Sequence, residues 1–232
     1  MTLSDLKLRQ PAKGFRYNTD SILLYHFAAL KPLRGHLLDV GCGCGVVGLL
    51  LARDYGVRLT GVDIQEEMIA YARENSLLNG LEARFICEDF RRYESHDRFD
   101  VIVCNPPFYS DKTLPSQNPS LRLARYRDAL PLGDLLQRCS SLLETKGELF
   151  FCYEATALHE ALVELKTRRY HLKSIQFVHR NQDAPARLVL LQVRKMPVRA
   201  TITRPPIFLH QESDISPVMQ QFAQRANTLC VA

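Results

Sequence analysis

The sequence predicts an α/β protein, an open and mostly parallel sheet interleaved with helices. Three observations carry that expectation. Short apolar runs alternate with helical patterns from residue 36 to about residue 152, the spacing that parallel strands need for their crossovers. The first run, His36-Leu37-Leu38-Asp39-Val40, passes through Gly41-Cys42-Gly43-Cys44-Gly45 into a helical stretch over 46–52. A strand, a glycine-rich turn and a helix in that order form the nucleotide-binding βα unit. Farther on, residues 172–179 and 186–193 read as two long strands joined by Asn181-Gln182-Asp183-Ala184-Pro185, an antiparallel hairpin.

The elements follow in order. Residues from about 6 to 16 alternate weakly and carry Lys7, Arg9, Lys13 and Arg16, a short strand or hairpin with a basic edge. Asn18-Thr19-Asp20 supplies cap chemistry for an apolar helix over 21–30, which Lys31-Pro32 ends. The glycines of the next turn let a ligand approach the backbone, and the helix behind them offers unpaired N–H groups. A second strand over 59–63 ends in Asp63, where a carboxylate accepts both hydroxyls of a ribose. Gly43-x-Gly45-x-x-Gly48 with Asp63 beyond it fits a dinucleotide fingerprint. Asp39 ahead of Gly41-x-Gly43-x-Gly45 fits the S-adenosylmethionine version equally well, so the turn alone leaves both open.

Residues 66–79 read as a helix with Met68, Ile69, Ala72, Leu77 and Leu78 as its apolar face, closed by Asn79-Gly80. The third strand, 83–87, is followed by Glu88-Asp89-Phe90, an acid placed to accept the exocyclic amine of an adenine. The fourth, 100–104, stops at Asn105-Pro106-Pro107-Phe108, because proline cannot donate to a central ladder. The result is a rigid platform bearing an amide and a flat ring. Acids, the glycine turn and this platform thus fall at four successive strand ends, the edge that lines the ligand crevice of open α/β sheets. Beyond it runs a polar loop to about residue 131 holding Lys112, Arg122, Arg125 and Arg127, the length of a lid or recognition element. A helix over 132–143, a turn at Glu144-Thr145-Lys146-Gly147, a strand over 148–152 and a helix over 156–169 precede the hairpin. Arg204-Pro205-Pro206 opens a tail with one more helix, 217–227.

Composition sets the outer bounds. The 232 residues are 46% hydrophobic and 24% charged, ordinary for a globular protein, and the net charge of +5 permits a polyanionic partner without demanding one. The first residues lack the apolar core of a signal peptide, and no apolar run approaches a membrane span. Seven cysteines are scattered without disulfide or zinc spacing, and Cys42-Gly43-Cys44 is too cramped for a tetrahedral site. The expectation is a cytoplasmic, metal-free monomer with reduced thiols. No linker divides the chain, so a single domain spans 1–232, with 1–35 as an extension and 196–232 as the tail.

On these residues the chain resembles the class I S-adenosylmethionine-dependent methyltransferases. Its α/β units and closing hairpin are similar to that Rossmann-like fold, a seven-stranded, mostly parallel sheet whose last strand is antiparallel. Asn105-Pro106-Pro107-Phe108 is similar to the signature of amino methyltransferases acting on adenine N6, guanine N2 or glutamine N5. More narrowly, the chain resembles the bacterial tRNA1(Val) adenine-N6 methyltransferases. That resemblance rests on Thr19-Asp20-Ser21-Ile22-Leu23-Leu24 and Ala124-Arg125-Tyr126, with Pro185-Ala186-Arg187 and the Pro-Pro tail beside them. Phe108 stands where that family more often has Tyr, and Cys44 where a small hydroxyl residue is common.

The resemblance implies S-adenosylmethionine as cofactor, tRNA as partner and an adenosine beside the anticodon as target. It implies cofactor contacts from Thr19, Asp39, Gly41, Gly43, Gly45, Asp63, Ile64, Asp89, Phe90 and Asn105. Asp63 would take the ribose, Asp89 the adenine amine, the glycines the methionine portion, and Asp39 would orient the turn. Asn105, Pro106, Pro107 and Phe108 form the implied catalytic platform, with Lys7, Arg9, Arg16, Lys112, Arg122 and Arg125 against RNA phosphates. An rRNA guanine-N2 enzyme, a protein glutamine-N5 enzyme and a non-catalytic cofactor-binding scaffold stay open as alternatives.

Overall fold

The computed structural model describes residues 5–11, 16–106, 130–212 and 214–231. Strand β1 (Leu6–Leu8) buries both leucines and exposes Lys7 between them. Helix α1 (Thr19–Ala28) starts two residues before the expected position, because the Asn18 side chain caps it by accepting from the amides of Asp20 and Ser21. Then come β2 (His36–Val40), α2 (Val46–Tyr55), β3 (Arg58–Asp63), α3 (Glu66–Leu78), β4 (Ala83–Cys87) and β5 (Phe99–Cys104). In β5 the run Val101 to Cys104 is buried at every position, as a central parallel strand requires.

Helix α4 (Leu132–Leu142) runs directly into β6 (Leu143–Glu154), so the expected turn at Glu144–Gly147 is instead absorbed inside the strand. The pairing of β5 with β6 shifts register there, between Phe99 and Val101. A short 3₁₀ turn, Ala155–Ala157, leads to α5 (Leu158–Thr167) and then to β7 (His171–His179) and β8 (Ala186–Arg194). These last two form the expected antiparallel hairpin.

Strand order in the main sheet is β7-β8-β6-β5-β2-β3-β4, with β8 antiparallel to both neighbours and the other pairs parallel. The chain winds outward from β2 in one direction and from β5 in the other, so the order reverses between them. That reversal opens a crevice at the carboxyl ends of β2 and β5. The seven expected strands gain two more, because β9 (Ile202–Thr203) and β10 (Ile207–Phe208) both pair with β7. The tail is therefore richer than one helix. It continues through β11 (His210–Gln211) and β12 (Asp214–Ile215), which pair with each other, to α6 (Pro217–Ala226) and β13 (Thr228–Cys230).

Of the strand or hairpin expected at the amino terminus, the strand is formed, and it pairs with the other end of the chain, β1 beside β13 and parallel to it. Two amides of α3 hold the other edge of β1. Asn79 accepts from the Lys7 N–H at 2.8 Å and returns a bond to the Lys7 carbonyl at 2.7 Å. Asn75 does the same for Arg9, at 2.6 and 3.0 Å. Residues four apart on a helix thus mimic a strand edge, since alternate residues of β1 point their backbone the same way.

Helix α6 is tied down just as firmly. Arg53 donates to the carbonyls of Ala226 at 2.8 Å and Arg225 at 3.1 Å, and to Asp54 at 2.8 Å. Asp54 also accepts from the Tyr25 hydroxyl at 2.5 Å. His26 stacks on Phe222 with ring centres 3.9 Å apart and donates to its carbonyl at 2.8 Å. One continuous buried cluster extends from Leu6 to Ala226. The expected apolar face of α3 needs correction: Leu77 is 82% exposed and Leu78 41%, whereas Asn75 and Ser76 are buried. No helix among the described residues is long and apolar enough to cross a membrane.

Candidate active site

The glycine turn after β2 bends where only glycine is at ease. Gly41, Gly43 and Gly45 have φ of +65, +54 and +85°, the left-handed region. A side chain on Gly41 would meet nothing within 4 Å, so this part of the turn faces open space. The two acids read from the sequence fix the turn from behind. Asp63 accepts from the Gly43 N–H at 2.8 Å with one oxygen and from the Gln65 N–H at 2.9 Å with the other. Asp39 accepts from the Gly48 N–H at 2.8 Å. Burial pushes the Asp39 carboxyl up to about 7; the Gly48 N–H opposes the rise and the nearby charge of Asp63 adds to it. Asp63 is raised as well, mainly by burial.

The crevice brings together most of the residues singled out in the sequence. Asp39, Gly41, Gly43, Asp63, Ile64, Asp89, Phe90 and Asn105 all line it. Gly45 lies just behind, opening α2. Asp89 reaches the crevice with its carboxylate held by the Arg91 guanidinium, which keeps its pKa low. Thr19 lies elsewhere. It is exposed in the first turn of α1 and faces a neighbouring depression with Arg16 and Asn18, while Ser21, two residues on, reaches the crevice instead.

Lys7 lies on the strand at the chain ends and Arg9 just past it, 3.5 Å from Glu74. Pro106 is buried at the end of β5. Pro107, Phe108, Lys112, Arg122 and Arg125 lie outside the described residues. Sequence reasoning missed Tyr17, Ser21, Gln65 and Glu88 on the crevice wall. Glu88 stands beside Asp89 at the end of β4 and could have been found by the same strand-end logic.

Asn105 is held at both ends of its side-chain amide. Its amide nitrogen donates to Ser21 Oγ at 3.3 Å, and its oxygen accepts from the Cys152 thiol at 2.8 Å. Beside Ser21, the buried carboxylate of Asp20 pairs with Arg187 of β8. Burial raises the Asp20 pKa and the Arg187 charge opposes that rise.

The wall chemistry decides between the two ligands that the glycine turn left open. Four carboxylates, Asp39, Asp63, Glu88 and Asp89, line the crevice, and none of its described lining residues is Lys, Arg or His. A pyrophosphate would face these acids with no cationic side chain to offset them, whereas S-adenosylmethionine brings a sulfonium, an ammonium, hydroxyls and an amine, and no phosphate. The apolar faces of Val62, Ile64, Met68 and Phe90 suit its adenine ring and methylene chain.

Fold and crevice together define a class I S-adenosylmethionine-dependent methyltransferase. The chain belongs to the methyltransferase small domain family, whose model matches residues 18–174. Among curated relatives, the tRNA1(Val) (adenine(37)-N6)-methyltransferase of Klebsiella pneumoniae (strain 342) is 29% identical over 211 residues, 82% of this chain and 84% of that one. The namesake protein of Phocaeicola vulgatus is 29% identical over 180 residues, covering 77% and 76%. Among solved structures, a predicted O-methyltransferase from Agrobacterium tumefaciens superposes with a TM-score of 0.68 at 16% identity, over 92% of this chain and 99% of that one.

Proposed function

We propose that the enzyme methylates N6 of an adenosine in tRNA, the one beside the anticodon of tRNA1(Val). The observation that carries the reading is the placement of Asn105. Its amide closes β5 on the wall of the same crevice that the glycine turn and the carboxylates line. The names of the relatives in Klebsiella pneumoniae and Phocaeicola vulgatus supply the base and the RNA. The mild positive charge of the chain agrees with a polyanionic substrate.

In this reading Asp63 receives the cofactor ribose, Asp89 or Glu88 its adenine amine, and Gly41 to Gly43 flank its methionine portion. The bound cofactor supplies an electrophilic methyl group on sulfur. The chain supplies the acceptor geometry. An adenine exocyclic amine is a weak nucleophile because its lone pair is shared with the ring. Asn105 Oδ1 and the Pro106 carbonyl accept its two hydrogens, which draws the nitrogen toward a tetrahedral shape and aims the lone pair. The surplus proton becomes acidic only after transfer, so no general base of tuned pKa is required. Phe108, three residues past Asn105 in sequence, stacks on the base, an interaction worth roughly 1–3 kcal/mol.

Tritiated methyl transfer to tRNA, rRNA and protein fractions, followed by nucleoside analysis, tests the reading. N6-methyladenosine confined to tRNA is expected, and lost when Asn105 is replaced by Ala while S-adenosylhomocysteine still binds. Label in N2-methylguanosine or in protein, or full turnover by Asn105→Ala, would overturn it.

A further inference from the structure

The side-chain amide of Asn105 is useful only in one of its two orientations. Turned by half a rotation, it presents an NH2 group to the substrate amine, a donor facing a donor. Three elements meet around it. Cys152 lies on β6 one residue beyond Phe151, the partner of Cys104, so the strand register sets its thiol beside the first residue after β5. Ser21 comes from the first turn of α1, itself fixed by the Asn18 cap.

We propose that Cys152 and Ser21 are positioning residues that hold the Asn105 amide with its oxygen available to the substrate amine. The thiol is a donor aimed at Oδ1, 2.8 Å away, and the hydroxyl oxygen takes an N–H of the amide at 3.3 Å. A carbonyl oxygen has two lone pairs, so Oδ1 receives Cys152 and keeps a second for the incoming hydrogen. Cys152 is wholly buried, which with the nearby Asp20 charge pushes its pKa well above the ordinary value and keeps it in the S–H form that donates. No other role for this thiol is evident: it is far too buried to act as a nucleophile or to meet the substrate. The inference rests on the catalytic reading of Asn105 given above.

Paired replacement of Cys152 separates hydrogen bonding from packing. Cys152→Ser keeps a donor and Cys152→Ala removes it, with little change of volume between the two. Assayed on a tRNA1(Val) transcript, Cys152→Ser is expected within about twofold of the parent in kcat. Cys152→Ala is expected to lose roughly tenfold in kcat, the worth of one such hydrogen bond, with KM for RNA and affinity for S-adenosylhomocysteine unchanged. Equal kcat for the Ser and Ala variants, or a loss confined to KM, would overturn the proposal. Should Cys152→Ala fail to fold, Ser21→Ala carries the same test, a drop in kcat supporting the proposal and an unchanged kcat sinking it. Asn105→Ala in parallel keeps the two levels apart: retained turnover there defeats the catalytic reading itself, whereas a dead Asn105→Ala beside a fully active Cys152→Ala defeats only the positioning role.

Discussion

The crevice and the clasp that joins the chain ends solve opposite problems with the same kinds of atoms. In the crevice, carboxylates are spent on holding backbone: Asp63 grips Gly43 and Gln65, and Asp39 grips Gly48. Those acids are buried at a cost, shown by raised pKa values. In the clasp, the buried acid Asp54 is matched by Arg53 and the Tyr25 hydroxyl. One region stays short of compensating cations and therefore suits a cationic ligand. The other is compensated within the chain and needs no ligand to complete it.

That contrast is sharpest at Asp63. Asp63→Ala frees two backbone amides at once, and S-adenosylhomocysteine affinity by calorimetry should fall on the order of 1,000-fold, two charge-assisted hydrogen bonds. An affinity within tenfold of the parent would mean the turn holds itself. The clasp should answer differently. Arg53→Leu leaves Asp54 buried without its closest cation and should cost about 3 kcal/mol of stability in a denaturant titration. Affinity for S-adenosylhomocysteine in the folded protein should stay within about twofold. If affinity falls with stability, the Arg53 end of the clasp is coupled to the crevice as well.

The smallest effect concerns pH. The Asp39 carboxyl sits at about 7 in the fold against roughly 4 in the unfolded chain. Between those values the folded state keeps a proton that the unfolded state has lost, so this group's contribution to stability declines as pH rises from about 4 to 7. Asp39→Asn carries no such charge. Its stability relative to the parent should therefore improve by about 2 kcal/mol between pH 5 and pH 8. A pH-independent difference would show that Asp39 is ionised throughout.

The same division explains what the sequence disclosed. The crevice is built from neighbours: each strand end lies within a few residues of the pattern that announces it, so Gly41, Asp63, Asp89 and Asn105 could be placed by counting strands. The clasp and the Asn105 supports are made across long separations, 222 residues from Asn227 to Asp5 and 47 from Cys152 to Asn105. Local patterns carry no sign of either. In α3 the fault lay with hydrophobicity itself. Leu77 falls about half a turn out of phase with Met68, whereas Ala72, Asn75 and Ser76 continue its face. The helical period pointed to the two polar residues: Asn75 is bonded to Arg9 and to the Cys44 carbonyl of the glycine turn, and the Ser76 hydroxyl donates to the Leu81 carbonyl, so both are buried with partners.

Asn75 has one further consequence. Its amide nitrogen donates both to the Arg9 carbonyl on β1 and to the Cys44 carbonyl in the glycine turn, at 3.0 and 2.9 Å. A single planar group therefore spans the first strand and the lip of the crevice. Whatever steadies the turn steadies the orientation of that plane, and with it the grip on β1. Because binding linkage is reciprocal, a ligand that binds the steadied turn more tightly must lower the frayed population of the first strand by the same factor that fraying weakens the ligand. The first strand of the chain is thus a gauge of whether its central crevice is filled.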